Sequence, residues 1–168
     1  MIAVTDSGPL ISLAKLNHLR LLPILYDTVI LPQAVYDEAV TEGLRRGYVD
    51  ANVTDAFLRR MKWLPIAPTR IPPDFAGSSR LGRGEREAIT LAGEHQALLL
   101  IDEDYARSIA ASMGLLTTGT LGILTEAYLR SLISADVLDD LLATIERRDD
   151  IWIHPDLCRH VRREVLER

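Results

Sequence analysis

The feature that most constrains this chain is a set of short apolar runs that stop abruptly at polar residues. Ile2-Ala3-Val4-Thr5 ends at Asp6, Ala97-Leu98-Leu99-Leu100-Ile101 ends at Asp102, and Leu115-Leu116-Thr117 ends in further hydroxyls at Thr118 and Thr120. A fourth run, Thr28-Val29-Ile30-Leu31, ends at Pro32. Runs of this length without polar alternation suit strands buried on both faces. Each lies between segments of helical pattern, with helices expected over about 7–16, 18–26, 48–62, 84–95, 103–113, 120–132 and 134–147, and one opening at Pro32. Strands that alternate with helices predict an α/β sandwich with a mostly parallel sheet. Short strands are also expected at 63–66 and 151–153, a surface loop over 67–80, and a last helix from Pro155.

In an open parallel sheet the ligand site lies beyond the carboxyl ends of the strands. Asp6 and Asp102 stand at those ends. Two helices can add acids, one through Asp37-Glu38 and one through Glu85-Arg86-Glu87. Residues two apart on a helix differ by about 200°, so Glu85 and Glu87 cannot face one point. Glu87 precedes Ala88 on the apolar side and is assigned to the site. Glu85, in the first turn, is assigned to capping. Glu38, one turn after Val35, is expected on the inner side, with Asp37 toward solvent. Converging carboxylates repel, and a hard divalent cation relieves this. Mg²⁺ or Mn²⁺ held by such a cluster fits metal-assisted phosphodiester hydrolysis.

Other chemistries lack their parts. The two lysines, Lys15 and Lys62, do not stand where a phosphoacceptor receiver needs a strand-end lysine, and Asp6-Ser7-Gly8 is not the Asp-x-Asp of a haloacid-dehalogenase-type phosphatase. No glycine-rich phosphate loop is present. The single cysteine, Cys158, excludes a disulfide framework and a four-cysteine zinc module. The longest apolar run is far below membrane-spanning length, and the first residues carry no basic leader pattern, so the expectation is a soluble, cytoplasmic protein. The net charge of −5 argues against a simple basic nucleic-acid glue, but it is uneven: residues 1–84 hold ten Lys and Arg against eight Asp and Glu. Arg45, Arg46, Arg59 and Arg60 are candidates for RNA contact.

The ordered set Val4-Thr5-Asp6-Ser7, Leu31-Pro32 with Val35 and Glu38, Gly84-Glu85-Arg86-Glu87-Ala88-Ile89 and Leu100-Ile101-Asp102-Glu103-Asp104 resembles the PIN-domain family and is similar to its VapC-like toxins. Leu115 to Gly122 extends the resemblance, which covers about 1–132. It implies a three-layer α/β/α sandwich for 1–132; it says little about 133–168, which the helical pattern leads us to expect as a C-terminal helical extension packed on the same domain. It also implies a Mg²⁺- or Mn²⁺-dependent endoribonuclease site. Carried over by position, the acids are Asp6, Glu38, Glu87 and Asp102, with Asp104 as a further metal ligand and Ser7 and Thr118 in support. The third acid is more often aspartate in the family. The resemblance further implies an RNA substrate, a small antitoxin protein as partner of a toxin, and a homodimer. The alternative is a module that keeps the fold and binds RNA or protein without cutting.

Overall fold

The computed structural model describes residues 1–167, apart from the side chain of residue 76. The chain divides into two compact units, Met1–Thr118 and Gly119–Arg168. The first unit is built on four parallel strands: β1 (Ile2–Thr5), β2 (Thr28–Ile30), β3 (Leu98–Leu100) and β4 (Thr117–Thr118), in the order β2-β1-β3-β4. The fold is the expected three-layer α/β/α sandwich, and its sheet is parallel throughout.

The helices of the first unit are α1 (Ser7–Lys15), α2 (Leu21–Leu25), α3 (Gln33–Tyr36), α4 (Gly43–Arg45), α5 (Val49–Met61), α6 (Pro73–Ala76), α7 (Arg83–His95) and α8 (Asp104–Ser112). A wide π turn, Asp37–Glu42, joins α3 to α4. Helix α7 lies along β1 and β3, with α3 and α8 beside it, while α1 packs against α5. Strand alternation sends Val4, Leu99 and Ile101 into one core with Ala88, Ile89, Leu91 and Ala92 of α7 and Ala106 and Ala110 of α8. The alanines let the helices approach the sheet closely. Ala3, Thr5 and Leu100, fully buried, point to the other face.

Two expected strands and one loop differ from the structure. Residues 63–66 contribute a single parallel bridge, Pro32 with Ile66, where Ile66 N–H donates to Leu31 O and Gln33 N–H donates to Ile66 O. Pro32 and Pro65 have no N–H to extend that ladder. Residues 151–153 form no strand; Ile153 N–H folds back on Ile151 O and Trp152 is 92% exposed. The 67–80 loop contains α6, pinned by buried Phe75.

The second unit holds α9 (Thr120–Leu129), α10 (Ala135–Arg147), α11 (Pro155–Val161) and a final π turn (Arg162–Leu166). Leu138, Leu142, Ile145 and Cys158 are buried, and Arg162 ties the end of the chain to Asp139 at 2.5 Å and Glu146 at 3.3 Å. The unit boundary falls just before α9, ahead of the 132/133 division expected from sequence. No helix among the described residues is long and apolar enough to cross a membrane.

Candidate active site

Register places the strand-end residues. Thr5 pairs with Leu100, and Leu100 pairs with Thr118, so these three stand level across the sheet. Asp6 is one step beyond and Asp102 two steps beyond on the neighbouring strand. Asp6 N–H donates to Leu100 O at 2.8 Å, which locks the end of β1 to β3.

Asp6 then caps α1. Its backbone is extended, and Gly8 N–H donates to its Oδ2 at 3.4 Å. Gly8 has no side chain, and both acids crowd the space a β-carbon would take: Asp102 Oδ2 lies 3.4 Å and Asp6 Oδ2 3.8 Å from that point. Asp6 is only 5% exposed, and its Oδ1 is buried with no hydrogen-bond partner among the described residues. Burial pushes its carboxyl up to about 7, helped by the charges of Glu85 and Glu38 and opposed by the backbone N–H groups of Ser7 and Gly8.

The other acids come from α7 and the helical stretch after β2. Gly84 N–H, in the first turn of α7, donates to Glu38 Oε1 at 3.3 Å. The carboxylate sits so close that a β-carbon on Gly84 would lie 2.9 Å from Oε2. In return, Glu87 Oε2 accepts from Ala34 N–H, in the first turn of α3, at 2.8 Å. The two helices therefore cap each other through a glutamate apiece. Arg83 bridges the pair, 3.3 Å from Asp37 and 3.5 Å from Glu87. Glu38 is exposed and Asp37 is half-buried beside Arg83, the reverse of the orientation expected from helical spacing, because the wide turn beginning at Asp37 interrupts regular helical periodicity.

Gly82 has no side chain to return the bond, but Glu85 accepts from Gly82 N–H at 2.8 Å and so caps α7 from its first turn, as expected. It also does something the spacing argument did not foresee. Its charge bears on Asp6, while Glu103 and Glu38 bear on it in turn. Its pKa is raised, chiefly by burial, with those two carboxylates adding and the Gly82 N–H and Arg86 opposing. The structure thus brings Asp6, Asp102, Glu38 and Glu85 to one rim. Glu87 is engaged elsewhere, buried on α3 and Arg83. The signal that could have found Glu85 is its place at the third helical position: a side chain reaching back to its own N-cap also reaches the rim the helix starts from.

The remaining expected residues are placed as follows. Asp104 is exposed in the first turn of α8, whose N-cap is Glu103, with Oε2 accepting from Ala106 N–H at 2.6 Å. Ser7 serves Asp6 through its backbone N–H. Thr118 is half-buried, and its carbonyl accepts from Ile101 N–H at 2.8 Å. Arg45 pairs with Glu42 and Arg59 with Asp55. Arg46 is exposed beside Tyr48, and Arg60 lines a cleft near the far end of α1 from Asp6.

Among the described residues no three His, Cys, Asp or Glu side chains are drawn together tightly enough to hold a metal ion. The local chemistry still fits a hard cation. Mg²⁺ commonly takes one or two carboxylates and keeps its waters. Asp6 and Asp102 flank one bare glycine, and Asp6 carries a buried oxygen with no partner among the described residues. A family model described as a PIN domain (DUF3368) matches residues 2–167, across both units. No curated protein and no solved structure matches the chain.

Proposed function

The chain belongs to the PIN-domain family, a family of nucleases, and from that premise we propose a divalent-metal-dependent endoribonuclease whose acids are Asp6, Asp102, Glu38 and Glu85. The observation that carries the reading is the buried Asp6 carboxyl, with an unpartnered Oδ1, next to Asp102 at the carboxyl rim of a parallel sheet. A buried carboxyl left in this state is destabilising unless something else uses it.

In this reading Asp6 and Asp102 hold Mg²⁺ or Mn²⁺. When bound, the cation supplies Lewis-acid activation of water and neutralises charge on the phosphate. Glu85 and Glu38 line the approach. Each is already oriented by a backbone N–H at the start of α7, so each holds a fixed position toward the water or cation shell. Glu87 is a positioning residue, which fixes α3 and with it Glu38. The toxin role, with a small antitoxin as partner, and the homodimer extend this proposal on family resemblance.

The test is cleavage of a 5′-labelled single-stranded RNA by the full chain in Mn²⁺, Mg²⁺ or EDTA, with Asp6→Asn and Asp102→Asn alongside. Cleavage that needs metal and is lost in both variants supports the reading. A protein that neither cuts RNA nor binds Mn²⁺ overturns it and leaves the non-catalytic binding module.

A further inference from the structure

Helices α1 and α5 end side by side. Each finishes in a paired turn in which the last carbonyls are satisfied by a left-handed residue and its successor. In α1, Asn17 N–H donates to Ala14 O and His18 N–H to Leu13 O; in α5, Lys62 N–H donates to Arg59 O and Trp63 N–H to Leu58 O. These turns leave an open cleft of about 330 Å³ lined by Asn17, His18 and Arg20 on one side and Val53, Phe57 and Arg60 on the other, over buried Leu19. Among the described residues no carboxylate lines it, in a chain with a net charge of −5.

The cations are available. Arg59, next door, is neutralised by Asp55 at 2.9 Å. Arg20 and Arg60 have no ion pair or hydrogen bond among the described residues. Cations at helix C-termini offset the helix dipole, which accounts for Arg60 but not for Arg20, which immediately precedes α2. His18 Nδ1 donates to Leu16 O at 2.6 Å, so the ring is oriented with Nε2 left over. Phe57 is half-buried and braced edge-on by Trp63, with ring centroids 5.5 Å apart at 90°. Two unpaired guanidiniums beside a braced aromatic ring match a nucleotide, phosphate on the cations and base on the ring.

We infer that this cleft anchors a single-stranded RNA, with a backbone phosphate between Arg20 and Arg60 and a base against Phe57. The inference rests on the nucleic-acid reading above and adds a contact remote from the acids. Asp6 caps one end of α1 and the cleft lies at the other. Nine helical residues separate them, about 14 Å at 1.5 Å per residue, or about four stacked nucleotides at 3.4 Å each.

The experiment is fluorescence anisotropy of a 5′-fluorescein 12-mer oligoadenylate with the full chain in EDTA, over a range of salt. Arg20→Gln/Arg60→Gln is compared with a charge-matched pair elsewhere, Arg70→Gln/Arg147→Gln. The cleft pair is expected to weaken binding about tenfold or more at low salt and to flatten the log–log salt slope by about 0.7, one single-strand phosphate contact's worth. The matched pair is expected to change affinity less than about twofold, as long-range charge alone is screened. With Trp152→Phe removing the other tryptophan, saturating RNA is expected to quench Trp63. Equal losses from both pairs, an unchanged slope, or Trp63 emission indifferent to RNA overturns the inference. Metal is absent from these measurements, so they stand apart from catalysis. Mn²⁺-dependent cleavage with a cleft pair that binds like wild type sinks the cleft alone. Cleft-dependent binding by a protein that neither cuts RNA nor binds Mn²⁺ sinks the nuclease reading alone.

Discussion

Asp6→Asn is expected to stabilise the metal-free protein while removing its use for metal. The wild-type carboxyl titrates near 7 in the folded chain, against 3.8 for an ordinary aspartate. Its folded value is raised, so between those limits the native state holds a proton that the unfolded state has released. Stability therefore falls as pH rises through that window, by about 1.4 kcal/mol per unit and about 4 kcal/mol in all. It is flat with respect to this group above pH 7. Asparagine cannot ionise and caps α1 about as well. The difference between variant and wild type is thus expected to widen by about 3 kcal/mol between pH 5 and pH 8, in favour of the variant. The assay is urea unfolding at four pH values in EDTA, and the difference cancels the other titrating groups. Saturating Mn²⁺ narrows that gap: at a hundred times its dissociation constant it adds about 2.7 kcal/mol to wild type and little to the variant. A difference that stays constant with pH, or widens toward acid, would refute the claim that burial of this carboxyl dominates.

The two glutamates of α7 separate by assay. Glu85→Gln is expected to lower cleavage by at least about a hundredfold while moving stability by less than about 1 kcal/mol, because glutamine still reaches the Gly82 N–H. Glu87→Ala is expected to cost about 2–3 kcal/mol by leaving the Ala34 N–H without its charged acceptor. That is a fall of several degrees in Tm by calorimetry, with cleavage reduced only in part. Gly84→Ala is expected to displace the flexible Glu38 side chain, which a β-carbon would meet at 2.9 Å; Mn²⁺ affinity measured by calorimetry falls while Tm changes by less than about 2 °C. Asp102→Asn is expected to abolish the Mn²⁺-induced rise in Tm as fully as Asp6→Asn, since both acids flank the same glycine.

The sheet was legible because β1 and β3 are buried on both faces and carry no polar alternation to mislead. Their last residues named Asp6 and Asp102 directly, since a strand's end fixes where the next side chain goes. The helical acids were harder. Counting 100° per residue turned Glu38 inward and Asp37 outward, and a wide turn at Asp37–Glu42 defeated the count. The choice of Glu87 over Glu85 followed burial correctly, for Glu87 is 7% exposed. What burial could not say is which neighbour the carboxylate meets. The Ala34 N–H that holds it is 53 residues away, a partner that no local pattern displays. The 63–66 and 151–153 segments looked like strands by composition alone, and a strand exists only where a neighbour offers a ladder.

The same topology explains how so many acids gather without unfolding the rim. In a parallel sheet, helices that follow or precede strands on this pattern start at the strands' carboxyl end, so their N-termini converge where the acids are. The structure uses nearly every one. Gly8 N–H of α1 goes to Asp6, Ala34 N–H of α3 to Glu87, Gly84 N–H of α7 to Glu38, Gly82 N–H before α7 to Glu85, and Ala106 N–H of α8 to Glu103. Backbone dipoles thus offset much of the repulsion that would otherwise demand a cation for folding. Glu87 and Glu38 use this donor supply to brace two helices against each other. Asp6 receives little for its burial: the Ser7 N–H, a long 3.4 Å bond from Gly8 N–H to Oδ2, and no partner for Oδ1 among the described residues. A cation arriving at this rim need not rescue a whole cluster. In the proposed reading it would have one deeply buried, poorly satisfied carboxyl to claim, and displacing the proton that carboxyl holds near neutrality would make its binding sensitive to pH in the range where the metal-free protein's own stability changes.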